Sequence, residues 1–191
     1  MSTVRVVGLD PSLNNFGYAL GIFDTDTHIL DIQDIGVLQT KPTETFKKKN
    51  QSDLVQAESL ICRLQLLLSG SDFIFAEVPV GSQSSRAQAS YGICIGLLAS
   101  LKVMSRSILI NVSPYDVKKI LGNREVTKHE MIEWSHSLYP QLPWPKRNNK
   151  IVSSKAEHMA DAIGALYAGI NDYFGYYPKE KTNYVNPTET K

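Results

Sequence analysis

Cysteine is scarce in this chain, with 2 in 191 residues, Cys62 and Cys94. Both stand inside apolar helical patterns, so both are expected as small buried hydrophobes and not as a disulfide. No uninterrupted apolar run reaches the roughly 18 residues of a membrane span, so no membrane is expected. No charged region, apolar segment and cleavage site follow one another at the N-terminus, so a soluble, reducing, cytoplasmic setting is expected. Charge of one sign is also lacking, the net being only +1. That balance neither demands nor excludes a polyanionic partner; the placement of the lysines decides. Internal repeats and low-complexity segments are absent. What remains is 42% hydrophobic and 20% charged, enough for a sizeable core in one domain over residues 1–174. Residues 175–191, rich in Tyr, Lys, Asn and Pro, are expected as a loosely ordered tail.

The chain is organised around its first strand, Val4-Arg5-Val6-Val7-Gly8-Leu9-Asp10-Pro11. Such an apolar, β-branched run suits a strand buried on both faces. Asp10 stands where the strand leaves the core. Asn14, Asn15 and Gly17 read as a turn, and residues 16–23 as a second strand forming a hairpin with the first. Asp10 is either a cap for the turn before Pro11 or a metal ligand. An ionised carboxylate at the lip of an apolar sheet is costly unless paired, so the choice rests on whether other ligands converge there.

Residues 27–38 read as a third strand. The following loop carries Lys41, Lys47, Lys48 and Lys49, either a solvated surface or a phosphate contact. Ser52 or Asp53 is expected to cap a helix from Leu54 to about Leu68, whose inward stripe is Leu54, Ala57, Leu60, Ile61, Leu64 and Leu68. A short strand, Asp72 to Pro79, then places a second acid, Glu77, at its C-terminal end. A long helix follows from Arg86 to Met104. Gly92 and Gly96 interrupt it at about 1 kcal/mol each relative to Ala. They suggest close approach of another backbone, either the protein's own sheet or a second copy. Ser107 to Val112 reads as a strand, and Tyr115 to Leu121 as a short helix that Ser113-Pro114 starts and Gly122-Asn123 ends. Thr127 and Glu130 make a capping box for a helix through Leu138. Tyr139 to Ser154 reads as an irregular loop with Trp144, Lys146, Arg147 and Lys150, and a last helix spans Ser154 to about Tyr173.

That last helix carries Glu157, His158 and Asp161. His158 and Asp161 share a face at i, i+3, and Glu157 and Asp161 are neighbours at i, i+4. Taken alone, the acids could simply favour a helix N-terminus. The element order is β-β-β-α-β-α-β-α, an α/β layout with one sheet and helices on it. If the strand of Glu77 lies beside that of Asp10, both acids leave the same end of the sheet. Carboxylates gathered at one point repel unless a cation joins them. Oxygen donors with one imidazole suit Mg²⁺ or Mn²⁺. Two such ions, about 3.5–4 Å apart, serve phosphodiester cleavage.

These segments resemble the RuvC family of Holliday-junction resolvases, within the ribonuclease H-like superfamily. Gly8 to Tyr18 is similar to the family's first motif and Ala76-Glu77-Val78 to its second. Ser113 to Lys119 with Thr127-Lys128 is similar to its basic segment, and His158-Met159-Ala160-Asp161-Ala162 to its last. The resemblance spans residues 4 to 170. It implies a ribonuclease H-like fold with a mixed central sheet, the first three strands antiparallel, flanked by helices. It also implies a homodimeric endonuclease, dependent on two Mg²⁺ with Mn²⁺ as substitute, that cuts four-way and other branched DNA.

Carried over, Asp10, Glu77, His158 and Asp161 would be catalytic metal ligands. One ion, on Asp10 with Asp161 or His158, would activate water; another, on Asp10 and Glu77, would stabilise the departing oxygen. His158 could instead be a general base, with Glu157 the next candidate ligand. Lys118, Lys119, Lys128, Arg147 and Lys150 are candidate DNA contacts, and the 86–104 helix falls where family dimers associate. In place of the family's aromatic after the second motif stand Pro79, Val80 and Gly81, which is nearer to divergent phage resolvases. Two other readings stand beside this one: a nuclease of RNA–DNA hybrids, and a non-catalytic branched-DNA-binding module.

Overall fold

In a computed structural model, residues 2–42, 48–122 and 125–175 are described. Five strands form one mixed sheet: β1 (Thr3–Asp10), β2 (Asn15–Asp24), β3 (Ile29–Gln39), β4 (Phe73–Glu77) and β5 (Ile108–Val112), ordered β3-β2-β1-β4-β5. β1, β2 and β3 pair antiparallel, and β1, β4 and β5 run parallel. The central position of β1 explains its apolar run, since Val7 and Leu9 face one layer and Val6 the other. This is the mixed α/β fold expected from the sequence.

Helices α1 (Lys49–Leu67) and α2 (Ser85–Met104) cover one face of the sheet. Leu60, Leu64, Cys94, Leu97, Leu98 and Leu101 pack there on Leu9, Phe16 and Ile74. Helices α3 (Pro114–Lys119), α4 (Lys128–Leu138) and α5 (Ser153–Phe174) belong to the other face. There Ala162, Ile163 and Leu166 of α5 meet Ala19, Phe23 and Phe75. Ser113 with Asp116 and Thr127 with Glu130 form capping boxes at α3 and α4.

Several expectations change. α1 starts at Lys49, and Lys48 caps it with no side-chain bond. Ser52 and Asp53 lie inside the helix and are buried, whereas Leu54 is 69% exposed. The inward stripe of this helix is polar at its start because it faces polar groups. Gln56 donates to Asn14 and Thr40 at 3.0 and 2.8 Å, and Arg86 holds Asp53 at 2.5 and 2.6 Å. Cys62 is exposed on α1, while Cys94 is buried as expected; both are free thiols. Gly17 lies in β2 opposite Asp10 instead of in the turn.

The segment read as an irregular loop contains a hairpin, β6 (Lys146–Arg147) with β7 (Lys150–Ile151). Gly92 and Gly96 do not pack on the sheet; a Cβ at either would meet nothing within 4 Å. By length and composition alone α2 could cross a membrane, although Arg86, Gln88, Ser90, Ser100 and Lys102 interrupt its apolar residues. Its inner residues are docked on the sheet. Lys47, Asn123 and the expected tail beyond Gly175 lie outside the described residues.

Candidate functional site

The site is built where β1 and β4 end. Their parallel register pairs Leu9 with Ala76, so Asp10 and Glu77 are the next residues on neighbouring strands. Paired residues share a face. Leu9 and Ala76 face α1 and α2, so Asp10 and Glu77 face α5.

Two glycines let α5 come close enough to complete the cluster. A Cβ on Gly8 would stand 2.0 Å from the carbonyl oxygen of Ala162, and one on Gly17 would stand 2.1 Å from that of His158. Only a residue without a side chain admits a helix backbone at this distance. His158 is thereby set over Asp10, and its Nδ1 lies 2.6 Å from Asp10 Oδ2. An ionised Asp10 can only accept, so Nδ1 carries the proton and Nε2 is left for other work. Glu157 Oε1 stands 3.7 Å from Nε2. Its other oxygen accepts a 2.8 Å bond from Lys128 Nζ, which ties the start of α4 to α5.

The acids are mutually unfavourable. Burial pushes the Glu77 carboxyl up to about 8, helped by the charges of Asp10 and Asp161 and opposed by Lys118. Burial likewise pushes Asp161 up to about 7, with Asp10 raising it further against His158 and Lys128. Burial disfavours the His158 cation, but the hydrogen bond to Asp10 and the charges of Asp10, Glu157 and Asp161 outweigh it and lift its pKa. The Lys128 ammonium is held charged by its bond to Glu157. The site carries more carboxylate than its own cations balance, which is the donor chemistry of a divalent-cation site. Among the described residues no three acidic, His or Cys side chains are already gathered at ligand spacing, and Asp10 is turned to His158.

The four candidate ligands are thus brought to one sheet end. Lys128 reaches the same cluster through its bond to Glu157, and the charge of Lys118 acts on Glu77. Lys119 is exposed on α3, and Arg147 and Lys150 are exposed on the β6–β7 hairpin. The sequence reading missed the Lys128–Glu157 bond. It also missed the close approach at Gly8 and Gly17, whose only signal was glycine within apolar strands.

No protein-family model matches the chain, and no curated protein sequence does. Among solved structures, Thermus thermophilus RuvC in complex with a Holliday junction substrate matches with a TM-score of 0.62 at 15% identity, over 88% of this chain and 96% of that one. A second Thermus thermophilus RuvC structure matches with a TM-score of 0.60 at 15% identity, over 87% of this chain and 96% of that one. At that identity the likeness is one of fold: this chain has the ribonuclease H-like fold of RuvC, along nearly the whole of both molecules.

Proposed function

We propose that the protein is a structure-selective endonuclease that hydrolyses phosphodiesters in four-way and other branched DNA with divalent metal, Mg²⁺ or Mn²⁺. The observation that carries this reading is the convergence of Asp10, Glu77, His158 and Asp161 at the end of β1 and β4. The RuvC-like fold supports it, since a matching structure holds a Holliday junction substrate.

The residues fit a divalent cation through their chemistry. Glu77 and Asp161 are half-buried acids whose ionisation is resisted by burial and by their neighbours. Asp10, Glu77, Asp161 and the Nε2 of His158, on losing its proton, would hold the metal, which when bound supplies a Lewis acid for water and for the departing oxygen. The chain's own residues then do the rest. Asp10 orients His158 through Nδ1. Lys128 holds the second oxygen of Glu157. Lys118, whose charge acts on Glu77, supplies positive charge beside the acids for the phosphate backbone, and Lys119, Arg147 and Lys150 are exposed cations that would extend it.

Two cuts on one junction call for two copies of the site, and the outward face of α2 supports a homodimer. Ala89, Gly92, Ile95, Gly96, Ala99 and Val103 are exposed on one side of this helix. The site supports hydrolysis of DNA over simple binding because none of the four ligand positions lacks its donor.

The test is gel-resolved cleavage of a labelled four-way junction with Mg²⁺, with Mn²⁺ and with chelator, beside a linear duplex and an RNA–DNA hybrid of the same sequence. Metal-dependent paired nicks on the junction alone are expected. Binding without cuts in either metal would favour a non-catalytic module, and cuts confined to the hybrid would move the reading to ribonuclease chemistry.

A further inference from the structure

The β6–β7 hairpin breaks a rule of local design. Its two central residues, Asn148 and Asn149, have φ of 50° and 59°, the left-handed pair of a type I′ turn, which Asn tolerates. The strands pair Lys146 with Ile151 and Arg147 with Lys150. Directly opposed residues share a face. Ile151 packs against the core of the α5 layer, so Arg147 and Lys150 stand together on the face turned away from it. Both are exposed, and neither makes an ion pair with a described residue. Like charges directly opposed across two strands are destabilising.

The hairpin is nonetheless firmly based. Val152 N–H donates to the Pro145 carbonyl at 2.7 Å. Beside it, buried Trp144 donates from Nε1 to the Tyr139 carbonyl at 2.8 Å. A rigid two-residue ribbon that holds two uncompensated cations side by side is pre-organised for an anion between them.

We propose that Arg147 and Lys150 form a clamp for one DNA phosphate outside the cleavage site, which fixes the strand's register against the scissile phosphate. This rests on the nuclease reading and extends it. β7 leads through Val152 straight into α5, so clamp and His158 belong to one piece of backbone. Two extended and five helical residues separate Lys150 from His158, so their Cα atoms lie at most about 20 Å apart. The clamped phosphate therefore lies within a few nucleotides of the cut.

The experiment uses Lys150→Glu, which sets an opposite charge against Arg147, and Arg147→Gln, which removes the repulsion. Arg106→Glu, exposed in the turn at the opposite end of the sheet, controls for net charge. Melting temperature, junction affinity against salt concentration, and phosphate-ethylation interference are measured on the full chain. Both hairpin variants are expected to melt no lower than the parent. They should bind the junction at least tenfold more weakly at moderate salt, with the slope of log affinity against log salt reduced by about one. They should also lose one interference signal a few nucleotides from the cut and keep the signals at the cut itself, while Arg106→Glu keeps all three properties. If the parent binds and cuts the junction and the hairpin variants match it in affinity and slope, the clamp is wrong and the nuclease reading stands. If the parent neither binds nor cuts branched DNA, both fall together.

Discussion

At the residue scale, Asp10 is the hinge of the site, because it borders Glu77 in sheet register and receives the proton of His158 Nδ1. Asp10→Asn keeps the size of the side chain and removes its charge. Cleavage is expected to fall on the order of a thousand-fold or more, the scale of a group acting at reacting atoms, with junction binding retained by gel shift. An active variant would remove Asp10 from the chemistry. Gly17→Ala tests the approach of α5. Its new methyl would stand 2.1 Å from the His158 carbonyl, so α5 must shift, at about 3 kcal/mol by the scale of overpacking. Urea unfolding should show the loss, and cleavage should fall with it. The acids also predict a pH profile. Glu77 rises from 4.5 to about 8 and Asp161 from 3.8 to about 7, so the folded state holds more protons than the unfolded one between those limits. Stability therefore falls as pH rises through this window. The raised pKa of His158 acts in the same direction, since its contribution is full below 6.5 and is lost as pH climbs through the folded value. With chelator, the melting temperature should decline from about pH 5 to pH 8, and Mg²⁺ or Mn²⁺ should raise it more at pH 8 than at pH 6. A flat profile, with or without metal, would mean the acids do not share one site.

At the element scale, what periodicity could reveal and what it could not are separated by length and by polarity. The strands of Asp10 and Glu77, the helix of His158 and the Thr127–Glu130 capping box were legible because each is an apolar run or a fixed spacing with a clear end. The adjacency of β1 and β4 was not carried by either strand alone; the element order left it as a condition, and their register meets it. The β6–β7 hairpin was invisible because two residues per strand establish no alternation. The start of α1 was misread because buried polar residues break an apolar stripe. Asp53 resembled a cap, yet it is a helix-interior acid held by Arg86 of α2. This bond joins the two helices of the outer layer, and the Asp53 carboxyl is held below its ordinary value chiefly by that hydrogen bond. Removing one partner has unequal effects. Arg86→Ala leaves a buried carboxylate unpaired, at about 2–3 kcal/mol after allowance for the half-exposed arginine. Asp53→Asn leaves Arg86 free to turn toward water and should cost less. Denaturant unfolding at pH 7 separates them; equal losses would show that the pair contributes packing and no charge pairing.

At the scale of the whole molecule, the two faces of the sheet are finished differently. The α5 layer is sealed by α3 and α4, with Trp134, Tyr139 and Trp144 buried over it. The α2 helix of the other layer buries Cys94, Leu97, Leu98 and Leu101 but leaves Ile95 at 46% and Val103 at 85% exposure. Between them Gly92 and Gly96 face open space. In an isolated chain these glycines serve no packing purpose, and an exposed helix is more stable by about 0.5–1 kcal/mol for each glycine replaced by Ala. Two copies of α2 laid together would give them one, since the missing side chains let the two backbones approach. This reasoning separates folding from assembly in one pair of variants. Gly92→Glu with Gly96→Glu adds charge where nothing lies within reach of a Cβ, so the monomer should fold with an unchanged or slightly higher melting temperature. Sedimentation should then show a dimer for the parent and a monomer for the variant. On a four-way junction, the variant should give single nicks where the parent gives paired ones. A variant that remains dimeric would place the contact elsewhere on the surface. A variant that unfolds would mean the glycines are packed within the chain after all.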